Sequence, residues 1–323
     1  MRPLTRPASA MSRDKNARQI KKPKQDQDTY YASILEAKDS KKDIYGMWRG
    51  YLIAAWGKYC SYCEIPMGTG LQVEHKDPKS KSSDPYAATD WTNMLLACPS
   101  CNRTKSDHPN PNQNEQLTDY LWPDQDVKFS PDPTKSSFQY TRVNKAATLT
   151  QVDASGQSST TNLANQDIVI VSAGSVDSAK ATKTIEMLNL NAGYDATANT
   201  MSYRTTATDR RIKHRTKAWD YALRATARLN TVNQAFPDDD DPDRMVREPM
   251  ERQIISTAIS AGFWSVWVTV FYQEFTANRL TLATNDTIQA LIKRLFITGI
   301  SFLDIRFLGT DTARIGVANM GDI

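Results

Sequence analysis

The sequence predicts an α+β fold, and three observations carry that reading. An amphipathic helix leads into the first of two C-x-x-C pairs, short apolar strand candidates lie between the pairs, and helical periodicity dominates beyond residue 177. The chain has 323 residues, 40% hydrophobic and 24% charged, which is ordinary globular composition and enough for two or three domains. Forty Lys and Arg against 36 Asp and Glu leave a formal charge of +4, so any basic surface has to be local.

Residues 1–28 carry eight basic side chains against three acidic ones and no hydrophobic periodicity, which reads as a flexible basic arm. Such an arm is either a phosphate-binding tail or a frayed terminus. No apolar run in it could form a signal-peptide core, so the expectation is a cytoplasmic protein.

Residues 29–123 form the next region. Ile44, Met47, Trp48, Tyr51, Leu52, Ala55 and Trp56 recur at three- and four-residue steps, the mark of a helix with one apolar face. Residues 124–176 read as a connecting segment. The alternation Phe138, Tyr140, Arg142 suggests one strand, Ile168 to Val171 another, and the Ser-, Thr-, Gln- and Asn-rich residues 150–165 a linker or long loop.

Residues 177–323 read as a helical, partner-binding region, with helices at 179–190, 209–229, 249–275 and 287–302. Residues 254–272 are 19 in a row without a charge. Arg252 and Glu274 bracket the run and serines and threonines interrupt it, so a buried or partner-facing helix is expected rather than a membrane span. The helix at 209–229 sets Arg210, Lys213, Lys217, Arg224 and Arg228 on roughly one face; this is a track for a nucleic-acid backbone or an ordinary solvated face.

Cys60, Cys63, Cys98 and Cys101 are all the cysteines in the chain, set as two C-x-x-C pairs 34 residues apart. Four thiolates match the tetrahedral preference of zinc, and a structural zinc site is the reading; a redox pair would leave the second pair unexplained. The enclosed loop carries Val73-Glu74-His75 and then Asn93, and the second knuckle runs into Asn102, Arg103 and Lys105.

In that order, C-x-x-C, Glu-His, Asn and C-x-x-C-Asn-x-x-Lys resemble the HNH endonucleases, whose core is a ββα metal finger. The resemblance implies a first strand at 71–75, a second at 94–97 and a helix starting near Cys101. It implies that Glu74 and Asn102 ligate one magnesium or manganese ion, with zinc held separately by the cysteines. It implies that His75 is the general base activating water for attack on phosphorus, and that Asn93 orients the loop bearing His75. Glu74 and His75 are adjacent and would face opposite sides of an extended strand, so a twist or opening at the strand end is required for both to serve one site. The third motif position is Asn102 rather than histidine, as in H-N-N variants, and Ser106 stands where some relatives place another ligand.

Lys76, Lys79, Arg103 and Lys105 are the candidate nucleic-acid contacts. The knuckle Cys-Ser-Tyr-Cys-Glu and the segment Thr184 to Asn191, followed by arginines at 204, 210 and 211, are similar to HNH proteins of the retron and Septu antiphage systems. That similarity implies an ABC-type ATPase as partner, docked near Phe263, Trp264 and Trp267. The expected substrate is DNA; the alternatives are a nuclease acting on RNA and a zinc-stabilised binding or scaffold subunit without catalysis. The chain itself has no G-x-x-x-x-G-K phosphate loop.

Overall fold

The structure is a computed structural model that describes residues 1–6, 46–78, 80–83, 87, 91–204, 209–238, 241–298, 307–310 and 314–315. Helix α1 (Gly46–Trp56) buries Trp48, Leu52 and Trp56 at four-residue spacing, as its apolar stripe requires. The stripe packs on the region between the cysteine pairs, with the Trp48 and Trp91 rings 5.5 Å apart. Strands β1 (Gln72–His75) and β2 (Met94–Ala97) then pair antiparallel, with Glu74 opposite Leu95 and His75 opposite Met94. Helix α2 (Pro99–Lys105) follows directly. Proline at its first turn costs no helical hydrogen bond, and the Cys98 sulfur accepts from the Cys101 N–H at 3.4 Å.

A four-stranded sheet comes next, in the order β4-β3-β6-β5. Strands β3 (Phe138–Val152) and β4 (Ser158–Ala173) form a long antiparallel hairpin, and β5 (Tyr194–Asp195) and β6 (Thr200–Arg204) extend it, β6 running parallel to β3. Residues 150–165, expected as a linker or loop, are therefore mostly the outer end of this hairpin. Both faces there are exposed, so no hydrophobic alternation marks the strands. Pairs such as Thr150 with Thr160 and a turn in which Asp153 accepts from the Ser155 and Gln157 N–H groups hold it instead. Ile168 and Val171, near the inner end, are buried.

The helices are α3 (Ser178–Leu188), α4 (Arg211–Ala235), α5 (Asp241–Ala261), α6 (Trp264–Thr276) and α7 (Ile288–Lys293), the last running into a π turn at Arg294–Thr298. The single helix expected at 249–275 is split at Gly262 and Phe263, both of which take positive φ. The break brings the chain against the first cysteine knuckle: a Cβ on Gly262 would lie 2.5 Å from Pro66 and 2.7 Å from the Glu64 carbonyl oxygen. The uncharged run thus becomes the end of one helix and the start of another. Among the described residues, no helix is long and apolar enough to cross a membrane.

One core runs from α1 and the cysteine pairs through to α4, α6 and α7, so the regions read from sequence as 29–123 and 177–323 share their interior. Phe129 against Trp264, with ring centroids 4.9 Å apart, is one such junction. Phe263, Trp264 and Trp267, expected at a docking face, are at most 1% exposed and belong to this core. The first four residues of the expected flexible arm are packed as well, and Arg6 reaches back onto the core. Met1, Arg2 and Leu4 are buried, and the Arg6 guanidinium sits between the Trp56 and Trp91 rings while donating to the Trp91 and Met94 carbonyl oxygens. The rest of the arm lies outside the described residues.

Gly262→Ala is expected to lower unfolding free energy by about 1–3 kcal/mol, because it combines a left-handed backbone with a clash against backbone and a proline ring. Urea denaturation measures it, and a midpoint equal to wild type would contradict the close approach described.

Candidate functional site

The sulfurs of Cys60, Cys63, Cys98 and Cys101 all lie within 4.8 Å of one another and all four residues are buried. Cys63 and Cys98 Sγ are 3.8 Å apart. A zinc–sulfur bond of ~2.3 Å in tetrahedral geometry places ligand sulfurs ~3.8 Å from each other, so the quartet fits a structural zinc ion. Burial, and then the neighbouring sulfurs, push the Cys63 thiol well above its usual range, and a divalent cation would supply the charge that stabilises the thiolate form. Arg211 from α4 adds a positive charge at the rim, its Nη1 lying 3.2 Å from Cys101 Sγ. Burial pulls its pKa down, but Cys101 and Asp209 more than offset this and keep it charged.

The cysteine quartet ties β1, β2 and α2 to one another, and the candidate residues ride on these three elements. Glu74 is 3% exposed and points inward. One carboxylate oxygen accepts from the Tyr62 hydroxyl; the other pairs with Lys105 Nζ at 2.6 Å. Burial, and then the Glu74 charge, raise the Tyr62 phenol well above its usual range, so it remains a donor. Lys105 is 0% exposed and also donates to the His75 carbonyl oxygen at 2.7 Å, tying α2 to the end of β1.

One expectation changes here. Lys105 does not face a phosphate, because its ammonium is enclosed by Glu74, the His75 carbonyl and the Trp122 ring, 6.0 Å away. Each Glu74 oxygen accepts one hydrogen bond, from Tyr62 or from Lys105, and keeps a further lone pair. Glu74 borders the same cleft as Asn102 and His75, so the two residues expected to hold a magnesium or manganese ion face one opening. Glu74 is buried and His75 partly exposed, yet both border the cleft.

His75 and Asn102 both line an open cleft of about 390 Å³, whose walls include Glu74, Gln72, Arg49, Ser106 and Asp107. Asn102 Nδ2 donates to Gln72 Oε1 at 2.8 Å. Asn93 is buried behind this wall. Its Oδ1 accepts from the Asp77 N–H at 2.7 Å, and its Nδ2 donates to the Asp77 and Ala87 carbonyl oxygens at 2.9 and 2.8 Å. Its own carbonyl accepts from the Lys76 N–H at 2.8 Å, so one asparagine clamps the chain just after His75.

Of the other basic candidates, Lys76 is buried and paired with Asp124 at 2.9 Å, which removes it from the surface. Burial lowers its pKa, and Asp124 partly offsets that. Arg103 is exposed on α2. Lys79 lies outside the described residues. The sequence reading missed Gln72, Arg49 and Asp107. Gln72 was detectable, being two residues before Glu74 on the same strand face; Arg49 and Asp107 reach the cleft only through packing.

Residues 60–108 match the family model described as HNH endonuclease. No curated protein and no solved structure matches the chain. The matched segment holds both knuckles, β1, β2, α2 and the cleft residues His75 and Asn102.

Metal analysis of purified protein is expected to find one zinc per chain, with Cys98→Ser losing both the zinc and the fold of residues 60–108. A full zinc complement in the variant would contradict the quartet. Lys105→Met is expected to cost about 3–5 kcal/mol in denaturant, because it leaves Glu74 buried without its counter-charge. Adding Glu74→Gln should recover part of that loss, and strict additivity of the two changes would argue against the pair.

Proposed function

We propose that the chain is an endonuclease that hydrolyses phosphodiester bonds of DNA at the cleft lined by His75 and Asn102. In this reading His75 takes a proton from water, the water oxygen forms a bond to phosphorus, and the bond to the 3′ oxygen breaks, with solvent protonating the departing oxygen. An imidazole is suited to that task because its ordinary pKa, ~6.5, lets it accept a proton near neutral pH. Asn93 would act as a positioning residue through the chain at Asp77, and Arg103 would contact a flanking phosphate.

The observation that carries the reading is that His75 and Asn102 share one solvent-open cleft inside the segment that matches the family model. The resemblance to retron and Septu proteins supports a further element, an antiphage role beside an ABC-type ATPase. Any docking face for that partner has to lie elsewhere than Phe263, Trp264 and Trp267, which are buried.

Supercoiled plasmid, linear duplex, single strands and structured RNA, each incubated with zinc-loaded protein and magnesium or manganese, test the proposal. The expected result is nicked or linear DNA with wild type and at least a ~10²-fold slower rate with His75→Ala, the usual scale of general-base loss. Equal rates for the two proteins would remove His75 from the chemistry, and cutting confined to RNA would overturn the choice of DNA.

A further inference from the structure

Helix α4 divides its basic residues into two sets. Arg211 and Arg215 face inward and are consumed by the fold, donating to the Leu188 and Leu190 carbonyl oxygens. Arg210, Lys213, Lys217, Arg224 and Arg228 are exposed. They recur at intervals of three, four, seven and four residues, the seven-residue gap being filled at its midpoint by Tyr221. At ~1.5 Å per residue the row extends roughly 27 Å along one side of the helix.

Nothing on the helix neutralises this row. The only acidic residue within α4 is Asp220, and it pairs with Arg142 on β3 at 2.7 Å. Asp209, just before the helix, is held by Arg211. Among the described residues none of the five exposed cations pairs with a carboxylate. Tyr221 lies between two of them, with Lys217 Nζ 5.4 Å and the Arg224 guanidinium 5.0 Å from its ring. His214, on the same side, is held below its usual pKa by partial burial and then by Lys217, Arg210 and Lys213, as expected inside a positive field.

The row is also braced to the candidate site. The Leu188 carbonyl accepts from Arg211 at 2.7 Å and from Thr104 at 3.0 Å, so the start of α4 and the helix bearing Asn102 and Arg103 meet on one oxygen.

We propose that the exposed face of α4 is a docking track for the phosphate backbone of duplex DNA, which it holds in line with the His75 and Asn102 cleft. The proposal rests on the nuclease reading for its substrate, though the binding it describes does not require cleavage. Regular single-sign charge over this length matches a repeating polyanion. A membrane-surface helix would need apolar side chains to insert alongside its cations, and a protein hot spot would need an aromatic anchor clear of charge. The row has neither, because its one aromatic ring is flanked by Lys217 and Arg224.

The test uses full-length, zinc-loaded protein carrying His75→Ala, so that the probe stays intact, and a fluorescein-labelled 30-base-pair duplex followed by anisotropy from 50 to 200 mM salt. The parent is compared with Lys213→Glu/Lys217→Glu/Arg224→Glu and with the milder Lys213→Gln/Lys217→Gln/Arg224→Gln, both checked for zinc content and melting temperature. Expected is at least a ~10-fold rise in Kd at 150 mM salt, with a log–log salt slope shallower by about 2.7 for three lost phosphate contacts. Unchanged affinity and slope in the glutamine variant would overturn the proposal. So would a parent that binds phosphatidylserine vesicles or polyglutamate through these residues and leaves the duplex unbound. Stripe-dependent binding together with a wild type that cuts nothing removes the nuclease reading and keeps the track; cleavage with stripe-independent binding does the reverse.

Discussion

The four-cysteine cluster is the constraint on which the rest of the molecule depends. Helix α2 has only seven residues and β1 and β2 only four each, too short to hold a fixed geometry by backbone hydrogen bonds alone. Closing them at one quartet of cysteines gives each a defined start or end. The same knuckles also organise what lies beyond them. Glu64, next to Cys63, accepts from the Ser265 N–H at 2.9 Å and the Ser265 hydroxyl at 2.7 Å, and its carbonyl accepts from the Phe263 N–H at 3.1 Å, so the first knuckle supplies the cap of α6. Arg211 carries α4 to Cys101 from the other side.

Charge inside this protein is used structurally near the cleft and kept free along α4. Lys76, Lys105, Arg211 and Arg215 are each buried and matched to carboxylates or carbonyl oxygens. Such pairs add little net stability, but they make the arrangement intolerant of losing one partner. The Glu74–Lys105 pair, with Tyr62 on one side and the His75 carbonyl on the other, therefore acts as a rigid floor beneath the cleft. Arg103 and the α4 row remain in solvent, where their field extends about a Debye length, ~8 Å at physiological salt.

The stretch from Thr184 to Asn191 acquires a physical meaning in this setting. Its carbonyls at Leu188 and Leu190 receive Arg211 and Arg215, while the Asn191 side chain bonds both the N–H and the carbonyl of Val171 on β4, at 2.9 and 2.7 Å. The stretch joins α4, the second sheet and the second knuckle. Its pairing with nearby arginines is thus a packing requirement, whatever partner the chain has.

Sequence alone determined the parts whose signal is local. The C-x-x-C spacing announced four thiols at one point, the stripe of Trp48, Leu52 and Trp56 announced α1, and the period of the basic residues announced the exposed face of α4, because each pattern repeats along the chain in register with the structure that forms. Tertiary packing decided the rest. It buried Lys76 and Lys105, gave each oxygen of Glu74 a hydrogen-bond donor, broke the long apolar run at Gly262, and turned residues 150–165 into paired strands. Most of these outcomes depend on a partner distant in sequence: Asp124 for Lys76, Lys105 for Glu74, and Pro66 and Glu64 for Gly262; the hairpin is local, but no apolar alternation marks it. Residue type and spacing carry no record of such partners, so which charges face the cleft and which support it from beneath was settled only when the chain closed on its cysteines.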